Sequence, residues 1–165
     1  MENQNNDQFK EKYIEIINFL AKGSHSFSKN HARATHVYLN FNSGSVRGIV
    51  YFEYEERILD AEEFVKKAKE NSLVVDDQPE NFKQLNRFVS EGVRRLFSHL
   101  GESHQPYPPQ LIVKYDSTDN SLKVETKEEV VDFELGKLKA RNELQDEVYR
   151  RNGGLDLSNL GLRIG

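Results

Sequence analysis

Three histidines within twelve residues, His25, His31 and His36, are the first side chains in this sequence with types suited to chemistry. Imidazoles so placed could ligate a metal or move protons near neutral pH. Their His-x5-His-x4-His spacing matches no tight metal-ligand pattern, because zinc sites combine a short ligand pair with further ligands at fixed geometry. They read as loop histidines, with one on a strand face. His99 and His104 fall near a helix C-terminus, where an imidazole cap is favoured by the helix dipole. The run from Asp116 to Ser121 has the acidic start of a calcium loop, but its sixth position is Ser121 rather than glycine and its twelfth is Lys127 rather than glutamate. No serine sits in a Gly-x-Ser-x-Gly setting, and no glycine-rich loop leads into Lys-Ser or Lys-Thr. These residues predict no catalytic set, no metal and no cofactor, and so a protein that is not an enzyme.

Charge is the more informative pattern. Residues 53–63, EYEERILDAEE, hold six acids against one arginine, and a second acidic group contains Glu125, Glu128, Glu129, Asp132 and Glu134. Each lies at the exit of a predicted hairpin, so both are expected to meet at one end of a shared sheet. An acidic rim with interleaved tyrosines suits a basic protein surface, since charge speeds encounter and aromatics anchor it. The residues expected to bind such a partner are Tyr38, Tyr51, Glu53, Tyr54, Glu55, Glu56, Asp60, Glu62 and Glu63.

Composition agrees. The 165 residues fit one domain, 1–165, with 1–6 as a frayed lead and 155–165 as a tail of open role. The net charge is −4, from 27 acids and 23 bases, which argues against broad attraction to nucleic acid. There is no cysteine, the first residues lack the basic-then-apolar order of a signal peptide, and no apolar run approaches a membrane span. A cytoplasmic protein is expected.

Two helix–hairpin units must position these groups. Phe9, Tyr13, Ile16, Ile17 and Leu20 form a helical stripe ending at a Gly23 cap. Strands follow at 35–41 (THVYLNF) and 46–52 (VRGIVYF), joined by a turn at 42–45. Asp60 and Glu63 make a capping-box start for a short helix, and residues 72–76 are either a brief strand or a connector. Asp77 and Glu80 suggest a second box before a helix over 79–100, striped by Phe82, Leu85, Val89, Val93, Leu96 and Leu100. Strands at 111–115 and 122–126 form the second hairpin. A last helix from about 132 to Asn152-Gly153-Gly154 has a divided apolar side, with Leu135 and Leu138 apart from Ala140, Leu144 and Val148. The expected fold is α+β: an antiparallel sheet of about four strands, helices packed mainly on one face, and a C-terminal helix. The other face, carrying His36, Tyr38, Asn40, Ile49, Tyr51, Glu53, Ile112, Lys114, Lys123 and Glu125, is expected to be left open for recognition.

Residues 35–54 resemble the first hairpin of the YezG-like immunity proteins. The stretch RFVSEGVRRLF at 87–97, continuing through LIVKYDSTDNSLKVE at 111–125, resembles their second helix and hairpin, and the layout agrees over residues 8–150. The resemblance implies a bacterial antitoxin of the cytoplasm that occludes a secreted polymorphic nuclease toxin. A homodimer is a separate expectation, raised by the divided apolar side of the last helix, whose minority reading is an oligomer or partner contact. Alternatives from the residues alone are a small-molecule or peptide-sensing module with its pocket between sheet and helices, and a small metal-dependent hydrolase using the histidine loop.

Overall fold

The central strand is buried along its whole length, and the rest of the fold is arranged to cover it. A computed structural model describes residues 2–42, 46–151 and 153, with the backbone alone at 2–6. Its elements run α1 (Glu2–Ser26), β1 (Ala34–Asn40), β2 (Arg47–Tyr54), β3 (Arg57–Leu59), α2 (Ala61–Glu70), α3 (Pro79–Glu102), β4 (Gln110–Asp116), β5 (Ser121–Lys127) and α4 (Phe133–Arg151). The five strands form one antiparallel sheet in the order β3-β2-β1-β4-β5. This is the expected α+β class with one strand more. No helix among the described residues is long and apolar enough to cross a membrane.

Alternation along β1 divides the sheet into two faces. Val37 and Leu39 join Val50, Phe52, Leu111 and Val113 on the face covered by α1, α2 and α3, and this layer contains the main core. The helical stripes deliver Ile16, Ile17 and Leu20 from α1, and Val89, Val93, Leu96 and Leu100 from α3. The two long helices approach closely through glycines. A Cβ on Gly23 would lie 1.9 Å from the Phe88 ring, and one on Gly92 would lie 2.2 Å from the Leu20 side chain. Gly23 is therefore a contact point inside α1, which continues three residues past the predicted cap.

Local signals account for most of the remaining boundaries. Asp60 accepts from Glu63 N at 2.8 Å and Glu63 returns the bond to Asp60 N at 3.1 Å, the capping box the sequence predicts. Asp77 does not cap α3: Gln78 holds that position, Pro79 occupies the first turn, and Asp77 instead pairs with Lys69 at 2.5 Å. Residues 72–76 are a connector. After α4, Gly153 adopts φ +66, the left-handed geometry of a helix terminator. Residues 43–45 of the predicted turn at 42–45 and the tail at 155–165 lie outside the described residues, while α1 begins at Glu2, within the stretch expected to be a lead.

Two departures matter for function. The unforeseen β3 is joined to β2 by a two-residue loop, Glu55 and Glu56, with Tyr54 paired to Arg57. And α4 lies across the second face of the sheet, where open surface was expected.

Filling the Gly92 contact should be costly. Gly92→Val is expected to destabilise the protein by about 1–3 kcal/mol, because Leu20 is fully enclosed and cannot step aside. Urea unfolding of Gly92→Val beside Gly92→Val/Leu20→Ala checks this, the second change making room and returning part of the loss.

Candidate functional site

The proposed recognition face is largely occupied by the chain itself. Gly136, Ala140, Leu144 and Val148, spaced by four, are the buried residues of α4. They meet Tyr38, Ile112 and Ile49 near the start of the helix, and Tyr51 and Ile58 near its end. Tyr38 is fully buried, and Tyr51 and Glu53 are 3% and 2% exposed. These three predicted partner contacts are therefore internal, which corrects their assignment. Gly136 has no side chain because a Cβ there would sit 1.9 Å from the Tyr38 hydroxyl.

Polar anchors complete the cover. Tyr38 donates to Gln110 Oε1 at 2.7 Å, Asn40 donates to Val131 O at 3.0 Å, and Gln110 donates to Glu129 O at 2.9 Å. Tyr51 donates to Lys137 O at 3.3 Å, with Arg141 5.7 Å from its ring centre. Burial raises the Tyr51 phenol to about 12, so it remains a donor at any physiological pH. At the helix end Arg151 makes a bidentate pair with Glu53, whose carboxylate also lies 3.7 Å from Arg33 Nε. Gln145 donates to Glu56 O at 2.9 Å and accepts from Ile58 N at 2.8 Å, satisfying the outer edge of β3.

The carboxylates that remain at the surface form a ridge along the β2–β3 turn and the start of α2. Glu55, Glu56, Glu62 and Glu63 are exposed, and Tyr54 and Asp60 are half-buried. Glu63 is committed internally: its hydrogen bond from Arg141 holds the carboxyl below its usual range, while burial raises its neighbour Asp60. Asn71, which the sequence reading passed over, donates to the Tyr54 hydroxyl at 2.8 Å and to Glu55. Both turn glutamates have left-handed backbones, φ 49 at Glu55 and φ 63 at Glu56. Such two-residue hairpin loops favour Asn-Gly, since a side chain in this region is disfavoured.

The second acidic group does not join this ridge. Register places Glu53, Ala34 and Asp116 at one end of the sheet, and Arg47, Asn40, Gln110 and Lys127 at the other. The exits of the two hairpins therefore point to opposite ends. The second group is also met by cations, with Glu129 pairing to Lys139 at 3.1 Å and Glu134 to Lys137 at 2.8 Å.

The histidines do not converge. His25 bonds Thr35 Oγ1 at 2.7 Å and Asn30 Oδ1 at 2.9 Å on the core side, whereas His36 points to the α4 side of β1. His31 contacts Val74 O at 3.2 Å, and His99 contacts Phe9 O at 3.0 Å. No group of three potential metal ligands occurs among the described residues. The acidic turn after β4 is also explained locally, as Asp116 accepts from Thr118 N at 2.9 Å and Asp119 from Ser121 N at 3.0 Å.

Beside the ridge, β2, α2 and α3 enclose an open cleft of about 430 Å³. Val50, Phe82, Leu85 and Val89 supply apolar wall, and Asp60, Glu62, Asn86 and Ser90 supply polar groups. With this geometry in place, comparison with known families finds no match to the sequence, and comparison with curated proteins finds none either.

His36 carries a pH consequence. It is 2% exposed, and neither ring nitrogen has a hydrogen-bond partner among the described residues. Burial, with Lys114 and Arg151 nearby, lowers its pKa from 6.5 to about 3. The native ring stays neutral while the unfolded ring takes up a proton below 6.5. The associated stability is complete above that pH and drains as pH falls toward about 3. Between pH 7 and about 4.5 the wild type should lose about 2–3 kcal/mol more than His36→Phe. Parallel denaturant titrations would measure it; equal slopes for the two proteins would contradict it.

Proposed function

We propose that this chain is a non-catalytic binding protein of the cytoplasm, an immunity-type antitoxin that occludes a basic nuclease toxin domain. The observation that carries the reading is the hairpin tip at Glu55 and Glu56. Two side-chain-bearing acids occupy left-handed positions where Asn-Gly would relieve the backbone. Such strain points to a role outside the fold itself. Glu62 continues the negative surface, and Tyr54, fixed by Asn71, places a half-buried ring among the carboxylates. A ridge of this kind attracts a cationic surface at long range and gives it an aromatic contact at short range. The resemblance to YezG-like immunity proteins supports the same reading. The contact surface is the ridge, because the second face of the sheet lies under α4.

A second reading has one observation in its favour. The cleft between β2, α2 and α3 has apolar walls with a few polar groups, as a ligand-sensing module would require. A saturable rise in melting temperature across a metabolite and peptide panel, lost in Ser90→Phe, would favour it over the antitoxin.

The antitoxin reading expects a neighbouring reading frame to encode a basic nuclease domain, and the test uses that domain. Co-expression should restore growth and yield a stable complex; no rescue and no complex would overturn it. Glu55→Lys/Glu56→Lys/Glu62→Lys should slow association and weaken that complex at least tenfold at low salt, with the fold retained by circular dichroism. Glu55→Asn/Glu56→Gly should do two opposite things. It should raise stability by roughly 1–2 kcal/mol while weakening the complex.

A further inference from the structure

The last helix is apolar on two opposite sides, and only one of them is used. Gly136, Ala140, Leu144 and Val148 face the sheet. Leu135, Leu138 and Tyr149 lie on the reverse side, 44%, 55% and 51% exposed, in line with the exposed Asn142. A helix whose sole task is to cover a sheet needs no such second stripe.

The charges along that stripe specify what can cover it. Turning a second α4 antiparallel about a two-fold axis at Asn142 brings Leu135 opposite Tyr149 of the copy. It sets Leu138 at the level of Asp146 of the copy, about one turn from the axis. On one flank Lys139 meets Asp146 of the copy, and the symmetry makes this pair twice. Lys139 is exposed and reaches Glu129 in its own chain at 3.1 Å, leaving its ammonium further donors. Asp146 is exposed and holds no ion pair or hydrogen bond among the described residues. A parallel two-fold arrangement would instead set this flank against the copy's other flank, bringing Lys139 toward Arg141 and leaving the Lys139–Asp146 pair unmade. We infer that α4 is a homodimerisation helix, packing antiparallel on the α4 of a second copy through Leu135, Leu138 and Tyr149, with Lys139 and Asp146 fixing the register. A self-complementary patch of this kind closes as a two-fold dimer and propagates no further. The acidic ridge, on the β2–β3 turn, is a different surface, so the dimer does not depend on the antitoxin reading.

The test is sedimentation velocity on the full chain from about 1 to 100 µM, with circular dichroism to confirm folding. The wild type should sediment as a dimer in the upper part of that range. Leu138→Glu should be monomeric throughout. Lys139→Glu should raise the dimer dissociation constant at least tenfold, and Lys139→Glu/Asp146→Lys should return it to within threefold of wild type. The returned affinity separates register from simple loss of the Glu129 contact, which the double variant also lacks. A wild type that stays monomeric, a dimer indifferent to Leu138→Glu, or a charge swap that restores nothing would each overturn the inference.

Discussion

The constraint on which the structure depends is that β1 must be covered on both faces. All seven of its residues are buried, and it pairs on both edges, with β2 and with β4. One face is simple to cover, because Val37 and Leu39 meet the stripes of α1 and α3. The other alternates polar and apolar groups: His36, Tyr38 and Asn40 beside Tyr51, Glu53 and Ile112. Covering such a surface requires a helix that supplies hydrogen-bond partners as well as apolar contact. That is why α4 brings Arg151 to Glu53, why the segment leading into it offers Val131 O to Asn40, and why Gly136 yields space to the Tyr38 ring.

Much of this is legible in the sequence, for identifiable reasons. The four long strands, the capping box at Asp60 and Glu63, and the long helix from Pro79 follow from local chemistry: alternation, paired caps and a continuous apolar stripe. Gly23 misleads because a glycine serving close helix contact looks the same in sequence as one ending a helix; only the Phe88 ring above it decides. Strand β3 is too short for alternation to register. Its turn also carries two glutamates where turn chemistry favours Asn-Gly, so the strongest local hairpin signal is missing. The α4 cover was hidden in a subtler way. Two opposed stripes cancel any clear direction of amphipathicity, and the buried one opens on glycine and alanine. Reading Gly136 together with Ala140, Leu144 and Val148 as one four-residue series would have found it.

Covering that face relocates the interaction surfaces. Tyr38, Tyr51 and Glu53 change from candidate contacts into the attachment of a helix. What remains outside is a carboxylate ridge at one end of the sheet and an apolar stripe on the back of α4. The opposed hairpin exits keep the two acidic groups from making one large negative field, and the cations of α4 temper the second. The β2–β3 turn and the adjoining start of α2 thus carry an acidic surface of their own, apart from the second group.

The order of elements has a consequence for synthesis. All five strands precede α4 in the chain, so the sheet can assemble while its second side is still bare. At ribosomal rates of about 5–20 residues per second, the stretch from 128 to 151 takes roughly 1–5 s to follow. Through that interval water, rather than a helix, must solvate the uncovered ribbon. Histidine, asparagine, glutamate and lysine at alternate positions keep the nascent intermediate wettable. A purely aliphatic side would pack more firmly at the end, but it would leave every new molecule sticky until its final helix arrived.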